Sequence, residues 1–523
     1  MQKYLSSILE SGHFKITLIA ALVLIALQSC KGSGKSGFNN EDYVVQIVPY
    51  PKSITLLGGS FTLNENMNIN VNEETLLPFA EVFSTNLFKL TGLNSMVEFS
   101  EQASSGILLK INTEIGATEY RIKINKLVLI EAGAINSLIN GCYSFLQLIE
   151  PTGKEFKVPT LEIDDKPDSG YRGLMIDLAR NWHDPSTVLK LIDLAAYYKI
   201  NYLQLHFTDY QSYTLPSVYL PTLSTKDRHY NFDELKLFEN YARLRGVAIV
   251  PELDIPGHAQ AMVNAYPELF GIKDIAENPY TLNMGREEVY EALEKLINEL
   301  IDIFGSSPYF HIGGDEAIFH LLEKDPDVKA YMAKHELGDD IHELYRHFIV
   351  RMNDIVKARG KQLCVWEGFR KNGKVLIPKD ILVFEYETGY YLPCELINDG
   401  YSVVNASWKP LYVVNEKKWS PDYIYGWNLW RWENWFNKVP SYNPIQCAKS
   451  PNVIGGQMCA WEQSQELEFP SLRRRLAAFS ERVWTPDDPR QISDFQLRLD
   501  KTDNTLSKLV NDSRQDSLEA FDK

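Results

Sequence analysis

Two adjacent carboxylates, Asp315 and Glu316, follow a short strand-like run at 309–312 and two glycines. Side chains of a strand alternate between faces, so both acids reach one pocket only if the backbone bends. Gly313 and Gly314 permit that bend. Close carboxylates in a partly apolar pocket split their pKa values, which leaves one ionised and one able to donate a proton. The pattern indicates an acid–base site, and its alternative is an acidic helix N-terminus favoured by the helix dipole.

The elements that position these acids are eight strand-like segments after Tyr171, mostly separated by amphipathic helices. This alternation predicts an α/β fold, a (β/α)8 TIM barrel, with catalytic groups at the carboxyl ends of its strands. The predicted strands are 173–178, 202–207, 248–252, 309–313, 362–367, 381–386, 402–406 and 453–459, and the clearest predicted helices are 186–198, 232–245, 286–304 and 341–359. Polar residues recur where the strands end: Asp177 and Arg180, His206 and Asp209, Glu252 and Asp254, Asp315 and Glu316, Trp366 and Glu367, Glu385 and Glu387, Trp461 and Glu462.

The chain has 523 residues and is expected to form more than one domain. Residues 44–167 combine alternating strand patterns with one helix at 135–149, which predicts a small non-catalytic α+β domain. The predicted barrel covers 168–488, and 489–523 are predicted to form a C-terminal helix and tail. Pro410 to Tyr442 is rich in Trp and Tyr, which serves either to pack a lid or to stack against sugar rings.

The first 43 residues predict export rather than a folded element. An apolar run at 16–27, too short to span a bilayer, leads into Leu27-Gln28-Ser29-Cys30, which resembles a bacterial lipobox. We therefore expect 1–30 to be a lipoprotein signal peptide, Cys30 to carry lipid, and 31–43 to be a flexible tether to the membrane. The expected location is therefore the bacterial cell envelope, at the outer membrane surface or the periplasmic face. The alternative is a plain secretory signal with a chance cysteine.

Net charge and cysteine content argue against several kinds of partner and site. The net charge of -16 argues against a nucleic-acid partner, because phosphate binding relies on Lys and Arg. Five cysteines remain besides Cys30, and their odd number and irregular spacing argue against a disulfide framework or a zinc site. Cys364 and Cys459 are expected to be small core residues.

Several motifs, taken in order, resemble glycoside hydrolase family 20, the β-N-acetylhexosaminidases. Segments 48–52 and 141–148 resemble that family's non-catalytic domain, and 171–177, 201–213, 251–259, 311–316, 366–367 and 455–463 resemble its barrel motifs. The resemblance implies an exo-acting enzyme that hydrolyses terminal non-reducing β-linked GlcNAc or GalNAc of a glycan. It implies no metal and no organic cofactor.

The resemblance also implies roles for residues. Glu316 is the acid and then the base at the leaving oxygen, while the substrate's own acetamide oxygen attacks C1. Asp315 accepts the acetamide N–H and stays ionised while Glu316 is protonated, Tyr412 donates to the acetamide oxygen, and Arg172 grips sugar hydroxyls. The other residues expected to contact substrate are Asp209, His258, Trp366, Tyr386, Trp461 and Gln463, and those expected behind them are His206, Asp254 and His311.

The chain departs from the family at four positions. Gln204 replaces a frequent histidine, and Tyr386 replaces a tryptophan. Val414 and Gln463 replace two carboxylates that hold O4 and O6 of the sugar, and Glu462, as a strand neighbour, is expected to face away. Losing that charge favours tolerance of 6-O-sulfated GlcNAc. The competing explanation is a shifted alignment across a variable loop.

Two other functions compete. A surface glycan-binding lipoprotein keeps the fold without turnover, but retention of Asp315, Glu316 and Tyr412 argues against it. A metal-dependent hydrolase using His311, Asp315 and His258 is the other alternative. His311 and Asp315 lie in a strand context rather than in a helical metal-binding pattern.

Overall fold

The computed structural model describes residues 43–272 and 280–516. The predicted signal peptide, Cys30 and all but the last residue of the predicted tether lie outside these ranges. Within them, no helix combines the length and apolar character that crossing a membrane requires.

The N-terminal part of the described chain forms a mixed sheet covered by helices. Its strands are β1 (Ser53–Leu63), β2 (Met67–Val71), β3 (Ser95–Phe99), β4 (Ile107–Ile111), β5 (Tyr120–Ile124), β6 (Val128–Ala132), β7 (Glu150–Thr152) and β8 (Glu155–Asp165). They run in the order β1-β8-β5-β6-β4-β2-β3, with β7 paired to β8. The helices Leu77–Thr91 and Ile135–Leu148 bury apolar side chains such as Phe83 and Phe145 in this unit.

Eight parallel strands then close into a barrel, which confirms the predicted fold. They are β9 (Tyr171–Asp177), β10 (Tyr202–His206), β11 (Ala248–Glu252), β12 (Tyr309–His311), β13 (Gln362–Trp366), β14 (Leu382–Glu385), β15 (Ser402–Asn405) and β19 (Val453–Ala460). Neighbours in sequence pair in parallel from β9 to β15, and β19 pairs with both β15 and β9 to close the ring. Three two-residue strands, β16 (Tyr412–Val413), β17 (Arg431–Trp432) and β18 (Ile445–Gln446), belong to the connection between β15 and β19.

Helices surround the barrel because their apolar stripes pack against the strands. They are Pro185–Tyr197, Phe232–Arg243, Gln260–Ala265, Pro267–Phe270, Glu287–Ile303, Pro326–Lys334, Ile341–Ala358, Pro393–Asn398, Pro421–Tyr425 and Gln465–Trp484, followed by the C-terminal helix Ile492–Val510. Inside, Tyr171, Met175, Phe384 and the cysteines Cys364 and Cys459 form a buried cluster. The barrel is therefore a packed core whose open end carries the polar residues.

A buried polar cluster joins the closed, amino-terminal end of the barrel to the N-terminal sheet. Asp165 of β8 accepts hydrogen bonds from the Tyr120 hydroxyl at 2.5 Å and from Trp484 Nε1 at 3.0 Å. Lys199 Nζ lies 3.6 Å from Asp165 Oδ2 and donates to the Tyr120 hydroxyl. The contacts tie the strand, the barrel and the helix Gln465–Trp484 together.

One disulfide corrects the sequence analysis. Cys394 and Cys447 are bonded, at a sequence separation of 53. The irregular spacing argued against a disulfide framework, but one bond needs only two Cα atoms at the right separation, here 5.3 Å. It fixes the end of the aromatic-rich connection to the helix Pro393–Asn398.

Candidate active site

The backbone bends sharply after β12, as the two glycines predict. Gly313 and Gly314 have positive φ angles of 65° and 97°. A Cβ on Gly313 would lie 1.7 Å from Asp254 Oδ1, so no other residue fits. Glu316 also has a positive φ, 48°. The bend brings ligand atoms of Asp315, Glu316 and His258 within 4.8 Å of one another.

Glu316 is connected to a chain of buried polar groups. Its Oε2 lies 3.5 Å from His258 Nε2, and His258 Nδ1 donates to Asp209 Oδ1 at 3.1 Å. The Tyr280 hydroxyl is 2.6 Å from the same Nδ1. Asp209 is fully buried, whereas the Glu316 side chain is 55% exposed. The arrangement holds His258 in one orientation against a carboxylate at the mouth of the barrel.

The pKa directions of the two acids reverse the expectation. Burial raises the pKa of Asp315 to about 6, with the nearby Glu316 charge acting in the same direction. The hydrogen bond from His258 lowers the pKa of Glu316, while the surrounding carboxylates, Asp254 foremost, raise the pKa of His258 to about 12. In the unliganded site Glu316 is therefore an ionised carboxylate beside an imidazolium. The pKa values of this pair are split, as the sequence predicts, but it is the pKa of Asp315 that is raised and that of Glu316 that is lowered, and a pKa of about 6 still leaves Asp315 mostly ionised at neutral pH.

Arg180, not Arg172, is the arginine at this site. Arg180 Nη2 lies 2.6 Å from Asp209 Oδ2 and its Nη1 lies 3.0 Å from Asp177 Oδ2, with the guanidinium over the ring of Trp461. Arg172 is the second residue of β9, so its side chain lies at the opposite end of the barrel. There it donates to the carbonyls of Lys199 and Ser169. The signal for Arg180 was present in the sequence, since it follows the carboxyl end of a strand.

A second buried carboxylate, Glu252, organises the floor of the site. It accepts from Trp366 Nε1 at 2.7 Å, Gln204 Nε2 at 2.8 Å and His206 Nδ1 at 2.9 Å. His206 also contacts Asp209 at 3.0 Å, and His311 Nδ1 lies 3.4 Å from Glu252. His206 and His311 therefore lie behind the pocket, where they hold Asp209 and Trp366 in place.

Aromatic rings wall the pocket. Trp461 packs against Trp366 and Tyr412 at centroid distances of 6.0 and 6.1 Å, and Tyr386 stacks on Tyr412 at 6.4 Å. Trp408, absent from the sequence-based set, packs 5.7 Å from Tyr412.

Some polar atoms of the pocket are free to bond a ligand. Within 43–272 and 280–516, Asp315 Oδ1 and Trp408 Nε1 are among the buried atoms without a hydrogen-bond partner. An apolar pocket with an acceptor and a donor left over suits a ligand that has both polar and apolar faces.

The substituted positions 414 and 463 present no charge. Val414 is partly buried beside β16, and Gln463 is fully buried, with its amide bonded to the Trp461 carbonyl and the Ser471 hydroxyl. Glu462 contradicts the expectation that it faces away. Its φ is 57°, so it has left the strand, and its Oε1 lies 3.8 Å from Arg180 Nε.

Three sets of side chains have the donors to hold a cation: His206 with Glu252 and Asp254, Asp209 with Asp254 and His258, and His258 with Asp315 and Glu316. His206 and His258 both have raised pKa values because carboxylates surround them. A protonated imidazole offers no lone pair to a metal, so a cation bound at these sets would have to displace the imidazole protons. His311 does not join Asp315 and His258 in any of these sets.

The sequence of this chain is similar to those of known proteins. The glycosyl hydrolase family 20 catalytic domain matches residues 170–487, and domain 2 of the same family matches 44–166. A β-hexosaminidase of Porphyromonas gingivalis is 26% identical, over 91% of this chain and 65% of its own length. The human β-hexosaminidase subunit beta is 28% identical, over 71% of this chain and 66% of its own. The chain spans 65% of the length of the first two curated relatives.

Solved structures share the fold. An exo-β-N-acetylglucosaminidase of Vibrio harveyi, solved with N-acetylglucosamine, superposes with a TM-score of 0.78 at 23% identity, covering 91% of this chain and 79% of that one. A chitobiase of Flavobacterium johnsoniae gives 0.74 at 24% identity, covering 89% and 73%. The two matched domains cover almost the whole described chain, and the chain belongs to glycosyl hydrolase family 20.

Proposed function

We propose that this protein is an exo-acting β-N-acetylhexosaminidase that removes terminal non-reducing GlcNAc or GalNAc from glycans. The observation that carries the proposal is the convergence of Asp315, Glu316 and His258 within 4.8 Å, beside the aromatic wall that includes Tyr412. Relatives named β-hexosaminidase support it.

The proposed mechanism uses the substrate's own acetamide. Its carbonyl oxygen attacks C1, the bond between C1 and the leaving oxygen breaks, and Glu316 gives that oxygen a proton. Water then adds to C1 of the oxazolinium ion as the bond between C1 and the acetamide oxygen breaks, Glu316 takes a proton from the water, and the configuration is retained. Asp315 accepts the acetamide N–H and offsets the positive charge, while the Tyr412 hydroxyl donates to the acetamide oxygen.

Glu316 must gain a proton before the first step. In the free site it is ionised beside the His258 imidazolium, 3.5 Å away. A neutral sugar that covers this pair removes water, which disfavours both charges and shifts the proton from His258 to Glu316. The chain Asp209–His258–Glu316 is therefore the proposed route by which the acid is loaded.

The test uses aryl glycosides of β-GlcNAc, β-GalNAc and β-glucose. We expect release from the acetamido sugars and none from glucose, and loss of turnover with retained GlcNAc binding in Glu316→Gln. The exposed Glu323→Gln is the matched control. Absence of wild-type turnover together with glycan binding would favour the alternative, a catalytically silent glycan-binding protein.

A finer proposal concerns the sugar's C6 substituent. Val414 and Gln463 supply no carboxylate, so a 6-O-sulfate meets no negative charge from these two positions. We expect 6-sulfo aryl β-GlcNAc to be hydrolysed with a kcat/KM similar to that of the plain substrate. A strong preference for the unsulfated sugar would overturn this.

The cellular location is also proposed, from Cys30 and the lipobox-like sequence. The disulfide between Cys394 and Cys447 supports export, because such bonds persist in oxidising compartments. Mass spectrometry of the mature N-terminus is the measurement. A lipid-modified Cys30 supports an envelope lipoprotein, and an unmodified cleaved chain supports plain secretion.

A further inference from the structure

Glu462 occupies a backbone position that other side chains hold in place. Its N–H donates to Asp177 Oδ2 at 3.2 Å. Its carbonyl accepts from Asn181 Nδ2 at 2.9 Å and from Asn415 Nδ2 at 3.2 Å. With a positive φ of 57°, the residue turns out of the strand direction. Three hydrogen bonds thus fix where the Glu462 carboxylate emerges.

The carboxylate faces Arg180 across a gap. Glu462 Oε1 lies 3.8 Å from Arg180 Nε, which is too long for a hydrogen bond. The Arg180 amino groups are already bound to Asp177 and Asp209. The Glu462 side chain is 64% exposed, so the gap opens to solvent at the barrel mouth. A hydroxyl oxygen placed there accepts from the guanidinium and donates to the carboxylate.

The gap is linked to the reacting groups through Asp209 and through the ring of Trp461. Arg180 shares Asp209 with His258, which contacts Glu316. The centroid of the Trp461 ring is 5.1 Å from the guanidinium of Arg180 and 6.1 Å from the centroid of the Tyr412 ring. In the proposed function C1 and C2 of the sugar face Glu316, Asp315 and Tyr412. The hydroxyls that continue around the ring are those on C3 and C4.

The geometry points to Glu462 as a specificity-determining residue that, with Arg180, reads the hydroxyl on C3 or C4 of the terminal sugar. This rests on the proposed function. The site takes a neutral hydroxyl that both donates and accepts. The carboxylate comes from position 462, because the Gln463 side chain is buried against Ser471.

The experiment compares Glu462→Gln with wild type on aryl β-GlcNAc and its 3-deoxy and 4-deoxy analogues. A hydrogen bond to a charged group is typically lost at a cost of about 10- to 100-fold in kcat/KM. We expect that loss with the parent sugar. With the one analogue that lacks the contacted hydroxyl, the variant and wild type should be equally active. Glu416→Gln, an exposed acid on the neighbouring turn, is the matched control and should change nothing.

Equal losses on all three substrates would overturn the proposal, because they would show a merely structural effect. So would no loss on any of them. Failure of the proposed function is distinguishable, since wild type would then hydrolyse no acetamido sugar. Thermal melting of Glu462→Gln checks that the variant is folded.

Discussion

The two ends of the barrel carry nearly the same chemistry and use it differently. At the carboxyl end, Arg180 lies over Trp461 and beside the buried Asp209. At the amino end, Arg172 lies over Trp484, whose indole donates to the buried Asp165. The centroid distances are 5.1 and 5.0 Å. An arginine over a tryptophan near a buried aspartate is therefore no mark of an active site by itself.

The two ends of the barrel differ in whether their buried polar groups still have hydrogen-bonding capacity for a ligand. Asp165 accepts from Tyr120, Trp484 and the backbone N–H groups of Lys52 and Lys166, and the N-terminal sheet covers it. At the carboxyl end, the chain of contacts from Asp209 ends at Glu316, which is 55% exposed. Asp315 Oδ1, buried in the same pocket, has no partner within the described ranges. At the amino end the hydrogen bonds of the carboxylate are satisfied and the site is covered. At the carboxyl end, hydrogen-bonding groups remain free for a ligand and the site is open.

The largest expected effect is the difference between replacing Asp209 at the carboxyl end and replacing Asp165 at the amino end. Asp209→Asn removes a carboxylate that orients His258 and helps to raise its pKa, so kcat of the folded enzyme should fall by about 10²- to 10⁴-fold. Asp165→Asn breaks a buried charged cluster and should lower the free energy of unfolding by roughly 3 kcal/mol, leaving the kinetics of the folded enzyme unchanged. Steady-state kinetics and denaturant unfolding measure both. A loss of activity without destabilisation in Asp165→Asn would remove the distinction between the ends.

Strand prediction succeeded because periodicity and apolar content define the barrel strands. The predicted range 248–252 coincides with β11, and 402–406 overlaps all of β15. A residue at the carboxyl end of a barrel strand can reach the site, whereas one at the amino end cannot. Telling the two apart requires the exact strand boundaries. Arg172 was assigned to the site although it belongs to the first residues of β9, where its side chain meets the carbonyls of Lys199 and Ser169.

Other features depend on contacts between distant segments and could not be predicted locally. The ionised state of Glu316 results from His258, which lies on a different loop. The direction of Glu462 results from Asp177, Asn181 and Asn415 holding its backbone, where strand alternation predicted the opposite face. Alternation applies only while the strand continues, and β19 ends at Ala460.

Replacing Arg180 or Arg172 by lysine should give a smaller difference in activity between the two ends. Arg180→Lys keeps the charge but loses the forked contact with Asp177 and Asp209, so kcat/KM should fall about 10- to 100-fold. Arg172→Lys loses hydrogen bonds to two carbonyls, which should cost roughly 1–3 kcal/mol of stability without changing kcat/KM. Equal kinetic losses in both variants would contradict the assignment of Arg180 to the site.

The smallest effect is a shift in pH dependence. Asp315 must be ionised to accept the acetamide N–H, and its pKa is raised to about 6, so kcat/KM should rise with pH through that value. The positive charge of His258 lowers the pKa of Asp315. Removing it in His258→Gln, besides reducing the rate, should therefore move the acid limb to higher pH. Arg172→Lys, altered at the far end, should leave the limb in place. A limb that stays in place in His258→Gln would mean that the titrating group is not Asp315, because no other change in that variant restores the lost charge.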